Sequence, residues 1–318
     1  MTKTIFRACA FVLLLLLLLG LASLLFLPKG NTVEDGIQNE ALYAFLGEPE
    51  NSLDAVVVGD SIPLSSFIPA YLWRDQGIPS YVCASTAQKA SDSFGLLRTL
   101  FRSQSPKVVL YEGDQLYLDL EAADVVSALG EQLFPVFRFH SNWKFVRPQA
   151  MLCTPDYTLV SPEKGYHMRK TTESLLIAPE IDLRDSSVEP ISPLNRWIFA
   201  RTLALCRKEG ARLILYSAPN ATGWSVPRHN ALSALAEASG VAYLDGNLDC
   251  TDIDWVIDTL DAGEHLNLRG AYTATQWLGS ALRTLESLPD RRTDPRYGDW
   301  NQALEAFQAM AEDPDQYW

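Results

Sequence analysis

The sequence predicts an α/β domain on a parallel sheet of about five strands with helices on both faces, preceded by one membrane-spanning helix. Three observations lead there. Short apolar segments rich in β-branched residues recur along the chain with helical patterns between them, the rhythm of a doubly wound sheet with right-handed crossovers. These segments are apolar throughout rather than alternating, as strands covered on both faces are. An uncharged run of 20 residues, Ala8 to Leu27, opens the chain.

That run contains an unbroken leucine stretch from Leu13 to Leu19. At 1.5 Å per residue it spans roughly 30 Å, the hydrocarbon thickness of a bilayer. Lys3 and Arg7 precede it, whereas Lys29, Glu34, Asp35 and Glu40 follow. The positive-inside rule then places the N-terminus in the cytoplasm and the remainder outside. A cleaved signal peptide is the competing reading, but the run is longer than a usual h-region and no A-x-A site follows. Residues 1–28 therefore read as cytoplasmic stub and retained anchor, with residues 8–27 in lipid. Residues 29–52 read as a polar stem.

The α/β domain is expected over 53–288. Its strands are expected at Ala55–Gly59, Ser80–Ala84, Lys107–Glu112, Arg212–Ser217 and Val241–Asp245. Helices are expected from Ser85 to Gln104, from Ser192 to Glu209 and from Arg228 to Ser239. The second has the clearest ends: Ser192 suits the N-cap, Pro193 the first turn and Gly210 the position after the last turn. An insertion, 134–189, breaks the rhythm with Phe137, Phe139, His140, Trp143, Phe145, Tyr157 and Tyr166. Such a segment is either a cap over a site or an accessory packing layer. In the tail, 289–318, Trp300, Leu304, Phe307 and Met310 recur at helical spacing and should dock on the domain.

A formal net charge of -13 excludes nucleic acid as a partner, since that ligand demands a basic stripe. Cys83, Cys153, Cys206 and Cys250 would lie outside, where disulfides can form. Cys83 and Cys206 fall in core-like patterns and read as buried thiols. No Cys/His spacing suggests zinc, and neither a metal nor an organic cofactor is implied.

Two segments carry chemistry. The first strand runs into Gly59-Asp60-Ser61, which presents a serine at the carboxyl end of the sheet, where open α/β sheets hold their sites. Far downstream, Asp261-Ala262-Gly263-Glu264-His265-Leu266-Asn267 sets a carboxylate and a histidine on one loop. A serine nucleophile needs a base, and the base needs an orienting acid. Ser61, His265 and Asp261 supply that set, with Asp258 and Glu264 open as alternative acids.

Together these segments resemble the SGNH/GDSL hydrolases, of flavodoxin-like fold, in a membrane-anchored bacterial branch. Gly59-Asp60-Ser61 is similar to the family's first block, and His265-Leu266-Asn267 with Gly270-Ala271 to its fifth. Further likeness lies in His140-Ser141-Asn142-Trp143-Lys144, Pro219-Asn220-Ala221-Thr222-Gly223-Trp224 and Asp294-Pro295-Arg296-Tyr297. The resemblance implies an oxyanion site made by the Ser61 amide, by Ala87 where the family has glycine, and by a third donor. The family's Gly-x-Asn-Asp block is absent. Its strand ends on Gly113-Asp114-Gln115, which leaves Gln115 as the candidate, because Asp114 donates only when protonated. The substrate pocket implied by the resemblance draws on Asp60, Asp114, His140, Trp143, Asn220 and Trp224.

The function so implied is an extracytoplasmic serine O-acyl esterase or acyltransferase of the bacterial cell membrane. It would act on a cell-envelope polysaccharide or teichoic acid through an acyl-Ser61 intermediate. Similar anchored proteins, such as the D-alanyl-lipoteichoic acid transfer protein, work beside a polytopic membrane-bound O-acyltransferase, which is thereby an expected partner. The alternative is a catalytically inactive scaffold or polysaccharide-binding module of an acylation complex, for which the altered third block speaks. A soluble secreted esterase follows if the apolar run is removed.

Overall fold

Five strands, β1 (Ala55–Gly59), β2 (Ser80–Ala84), β3 (Val108–Glu112), β4 (Arg212–Ser217) and β5 (Ala242–Asp245), form one parallel sheet in the order β2-β1-β3-β4-β5. The computed structural model describes residues 2–146 and 151–313. Parts of the expected insertion (147–150) and tail (314–318) lie outside the described residues. The helices that concern the site and its surroundings are α1 (Thr2–Phe26), α2 (Ser61–Ser66), α3 (Pro69–Gln76), α4 (Ala90–Leu100), α5 (Ala122–Leu133), α6 (Pro193–Lys208), α7 (Val226–Ser239), α8 (Leu268–Leu285) and α9 (Gly298–Glu312).

The period-two geometry of a strand sorts the core into two layers. Val56 and Val58 pack with Tyr81, Tyr111 and Leu213 beneath α4, α6 and α7. Ala55 and Val57 face the other way, toward Leu72 of α3 and Leu278 and Leu282 of α8. Every residue of β1, β2 and β3 is buried, which explains why their sequences do not alternate. On α6, Ser192 Oγ accepts from the Asn195 amide at 3.1 Å, and Gly210 adopts a left-handed φ of 77°.

The first long helix expected after β2 is shorter than its pattern. It begins at Ala90 rather than Ser85. Gln88 turns the intervening segment inward, its Nε2 donating to the Cys83 carbonyl at 3.0 Å and to Ser93 Oγ at 2.9 Å. Local side-chain bonding of this kind competes with helix formation.

Residues 29–52 are not a free stem. Leu42, Ala44 and Phe45 enter the main core, and Phe45 meets Tyr81 edge-on at 6.0 Å. Asn31 exchanges hydrogen bonds with Leu159 at 2.8 and 3.0 Å. With Ile37 buried as well, and Tyr43 and Leu46 packed on the same core, these apolar residues seat the segment.

The insertion divides its work. Residues 134–145 pack on the end of α1, where the Val136 amide donates to Ser23 Oγ at 3.3 Å. Further on, Lys164 forms a buried ion pair with Glu48 at 2.7 Å, and its carbonyl accepts from Val82 at 2.9 Å. Residues 169–175 then run beside the loop that carries His265. In the tail, Trp300 packs on Trp73 at 5.6 Å and Phe307 on Tyr71 at 5.2 Å.

Among the described residues, α1 is the one helix long and apolar enough to cross a membrane, a property that a signal sequence shares. Cys83, Cys206 and Cys250 are buried thiols, and burial pushes the last two up to about 12.

Candidate active site

Ser61 opens α2 directly beyond the end of β1. The turn into it is tight. A Cβ at Gly59 would lie 2.6 Å from Pro63 Cγ and 2.7 Å from Glu112 Cβ, so glycine alone fits there. Asp60 turns inward at the start of α2. It is buried and caps α2, its Oδ1 accepting from the Ile62 amide at 2.9 Å. Its carboxyl is raised by burial, against the pull of the Ile62 amide and His265.

The base and acid come from one hairpin-like loop. Thr259 and Leu266 form an antiparallel bridge, and the Leu260 amide donates to the His265 carbonyl at 2.8 Å. Inside it, Ala262 and Gly263 turn through left-handed φ values of 57° and 102°. This turn brings Asp261 back onto His265, four residues on. Asp261 Oδ1 accepts from the His265 amide at 2.7 Å, and its Oδ2 lies 2.6 Å from His265 Nδ1. His265 Nε2 lies 2.9 Å from Ser61 Oγ. With Nδ1 donating to the carboxylate, Nε2 is left to accept the serine proton.

The alternative acids are placed elsewhere. Asp258 is buried and bonds the Asp254 amide and Arg269, both at 2.9 Å. Glu264 is exposed. Ligand atoms of Asp261, Glu264 and His265 do converge within 4.8 Å, but both ring nitrogens of His265 are already engaged by Asp261 and Ser61.

The three oxyanion candidates separate clearly. The Ser61 amide stands at the head of α2. Ala87 lies in the loop after β2, exposed, with a left-handed φ of 54°. Gln115, by contrast, points inward. Its Nε2 donates to the Glu112 carbonyl at 2.8 Å and the Val58 carbonyl at 3.3 Å, and its Oε1 accepts from Ser93. That amide is spent on tying β3 to β1 and has no donor to offer a substrate. Asp114, the residue before Gln115, has a side chain 13% exposed. In the register that pairs Val58 with Tyr111, Ser61 and Asp114 each follow three residues later.

Carboxyl groups crowd this edge. Glu112 is fully buried, and burial with the nearby charges of Asp114 and Asp60 holds it well above the carboxylate range. Burial, assisted by Asp60 and Asp245, pushes Asp114 up to about 7, while Arg228 and Asn220 pull it down. The Arg228 guanidinium is 3.7 Å from Asp114 but shares its charge with Glu189 at 3.1 Å.

Asn220 and Trp224, read from sequence as pocket residues, lie in the segment that follows β4 and touches the His265 loop. Ala221, next to Asn220, donates to the Gly263 carbonyl at 2.8 Å, which locks this segment to the His265 loop. A cavity of about 300 Å³ opens beside it, walled by Ala221, Trp224, Trp255, Asn247, Pro179 and Ile181. His140 and Trp143 are not there. They belong to the segment packed on α1, with Trp143 67% exposed and His140 Nδ1 at 2.9 Å from the Phe137 carbonyl. Their apolar neighbours answer to the apolar helix, not to the catalytic loop.

Sequence reasoning missed the partner of Trp224. Asp245, at the end of β5, accepts from Trp224 Nε1 at 3.0 Å, His229 Nδ1 at 2.6 Å and Tyr243 Oη at 3.0 Å. Its other oxygen accepts from the Asn247 amide and side chain at 2.9 and 3.2 Å, and Asn247 holds the Asn220 amide at 2.7 Å. A carboxylate ending a strand was the available signal. Trp255 gave none, since it sits in an irregular loop.

Solved structures similar to this one include GDSL-type hydrolases. That of TesA matches at 14% identity with a TM-score of 0.39, over 73% of this chain and 99% of that one. The lipase/acylhydrolase from Enterococcus faecalis matches at 10% identity and 0.39, over 73% and 97%. The acetyl xylan esterase AlAXEase matches at 11% identity and 0.37, over 72% and 99%. No family model and no curated protein matches the sequence. The chemistry assigned to the site therefore rests on its side-chain geometry.

Proposed function

We propose that this protein is a membrane-anchored serine O-acyl esterase or acyltransferase whose domain faces away from the cytoplasm. The observation that carries the reading is the continuous relay from Asp261 through His265 to Ser61, at 2.6 and 2.9 Å. Ser61 attacks an acyl carbonyl as Nε2 of His265 takes its proton. The imidazolium then returns that proton to the leaving alkoxide, and Asp261 stabilises the charged ring. A second nucleophile, water or a polymer hydroxyl, resolves the acyl-Ser61 ester by the same steps in reverse.

The negative charge that develops on the carbonyl oxygen needs donors already in place, each worth about 3 kcal/mol. In this reading two of them are the amides of Ser61 and Ala87, on the loops that follow the neighbouring strands β1 and β2. Asp114 supplies the third donor in its acid form, from the strand on the other side. Trp224 and Trp255 give the adjoining cavity the aromatic walls that suit sugar rings, which favours an envelope polysaccharide or teichoic acid as the acceptor. A polytopic membrane-bound O-acyltransferase is the matching source of acyl groups in this reading.

Labelling the full-length protein with a fluorophosphonate tests it. Wild type should label at Ser61, Ser61→Ala should not, and His265→Ala should label far more slowly. Absence of labelling in wild type, together with no turnover of an activated acetyl ester, would make the inactive scaffold the better account.

A further inference from the structure

The apolar run of α1 is not bare along its whole length. Positions 2–18 are exposed, but from Leu19 onward one side of the helix is covered: Ser23 is 7% exposed while Leu21 and Leu24 stay at 42% and 44%. The uncharged part before Leu19, residues 8–18, gives about 17 Å at 1.5 Å per residue, against roughly 30 Å of hydrocarbon. If α1 spans the membrane, residues 19–27 must also lie in lipid. Whatever packs on them lies at the same depth. What packs on them is the short helix Val136–Phe139 and the turn His140–Lys144, fixed by the Val136 amide on Ser23 Oγ.

The outer surface of this piece suits that depth. On α5, Val126, Leu129 and Leu133 are 69%, 40% and 71% exposed and share one helical stripe. Phe137, Trp143 and Phe145 extend it at 49%, 67% and 44%. The charges of the same piece have partners: Asp124 pairs with Lys89 at 2.8 Å, Glu131 with Arg138 at 4.0 Å, and Lys144 Nζ lies 5.4 Å over the Trp143 ring, at the edge of the stripe. Backbone polar groups in lipid must be satisfied internally, and helical turns do so. Where α1 ends, a cavity of about 350 Å³ opens between Leu27, Pro28 and Tyr157, with Arg98, Arg102 and Arg138 beside Asp92 and Glu131. Three guanidiniums at headgroup height, in a chain of net charge -13, complement lipid phosphates.

We propose that α5 and residues 136–145 form an interfacial membrane-docking element, burying Val126, Leu129, Leu133 and Phe137 in the leaflet on the domain's side. This rests on the anchored reading of α1 given above. It adds that the domain is seated on the bilayer rather than held above it. An amphipathic helix with an apolar face of this kind lies in the interface plane, and a tryptophan such as Trp143 marks its edge.

The test uses the full-length chain with Cys9→Ala and Cys153→Ser, so that one introduced thiol carries the probe. A nitrobenzoxadiazole label is placed at Leu15→Cys, Leu133→Cys, Phe137→Cys or Ser280→Cys. Ser280 lies on α8, across the sheet from α4, and is exposed. Each protein is reconstituted in phosphatidylcholine–phosphatidylglycerol vesicles with and without doxyl-labelled lipid. The expected result is loss of emission at 133 and 137 comparable with that at 15, and none at 280. Quenching at 15 with 133 and 137 behaving like 280 would overturn the docking element while leaving the anchor intact, and would point to a protein partner covering the stripe. No quenching at 15 would overturn the anchor and the docking element together. The labelled positions are surface sites, and unchanged fluorophosphonate labelling of Ser61 in each variant certifies its fold.

Discussion

Two histidine–aspartate pairs stand at the carboxyl edge of one sheet, alike in distance and unlike in everything around them. In each, Nδ1 lies 2.6 Å from a carboxylate Oδ2. Asp261 serves His265 through that side-chain contact and the His265 amide, and its side chain is 38% exposed. Asp245 is 4% exposed and accepts five hydrogen bonds from Trp224, His229, Tyr243 and Asn247. The ring of His265 meets Ser61 on its far side, whereas the hydroxyl nearest Asp245's network, that of Ser217, is buried and bonded to Tyr243. A carboxylate crowded with donors holds a wall in shape. A carboxylate dedicated to one imidazole leaves the ring's other nitrogen for proton transfer.

The sharpest way to break that contrast is to exchange the histidines. Ser61→Ala or His265→Ala should lower kcat on an activated acetyl ester by about 10⁴-fold or more, and the double variant should lose little further, because triad members act as a unit. His229→Ala should lose far less than the roughly 10²-fold that removal of a general base costs. Equal losses at the two histidines would erase the distinction.

The aspartates should divide between activity and stability. Asp261→Asn is expected to cut kcat by up to about 10⁴-fold by favouring the wrong tautomer, with a near-native denaturation midpoint. Asp245→Ala should cost roughly 2–4 kcal/mol of stability, because it strands several buried donors. Urea titrations of both variants decide. A stable Asp245→Ala protein would show that the hub is dispensable.

Asp114 offers a pH test. With its acid form as donor, kcat/KM should decline as pH rises through about 7, and Asp114→Asn, which donates at any pH, should flatten that limb. Stability moves the same way. The folded state holds this proton to about 7, well above the usual carboxylate value, so between those points it binds more protons than the unfolded chain. The contribution is therefore full at low pH and disappears as pH rises through 7. A wild-type alkaline limb that survives in Asp114→Asn assigns it to another group.

The smallest effect is expected at Ala87. Its left-handed φ of 54° costs an L-residue about 1 kcal/mol or more, which glycine does not incur. Ala87→Gly should raise stability by roughly that amount with turnover unchanged. Lost activity would mean that the methyl group positions the donor amide.

The strands and the triad were legible because each depends on local pattern. Buried parallel strands announce themselves as apolar runs, and Ser61, Asp261 and His265 each sit in a short recognisable segment. Gln115 misled because sequence records a donor's chemistry but not its direction, and here Val58, Glu112 and Ser93 had already claimed it. His140 and Trp143 were aromatic and polar in the right proportions for a pocket, yet their environment was decided by contacts with residues more than 100 positions earlier. The seating of 29–52 likewise depended on where Phe45 could find Tyr81, a partnership that no local period encodes.

The docked segment 29–52 also sets the height of Ser61. As an extended chain, 24 residues would let a domain roam up to about 80 Å from its anchor. Folded onto Tyr81 and Leu159, the same segment gives almost no reach. With α1 as the anchor, Ser61 is held like a blade at a fixed gauge. In the proposed function, that confines its action to substrate within one thin layer next to the membrane.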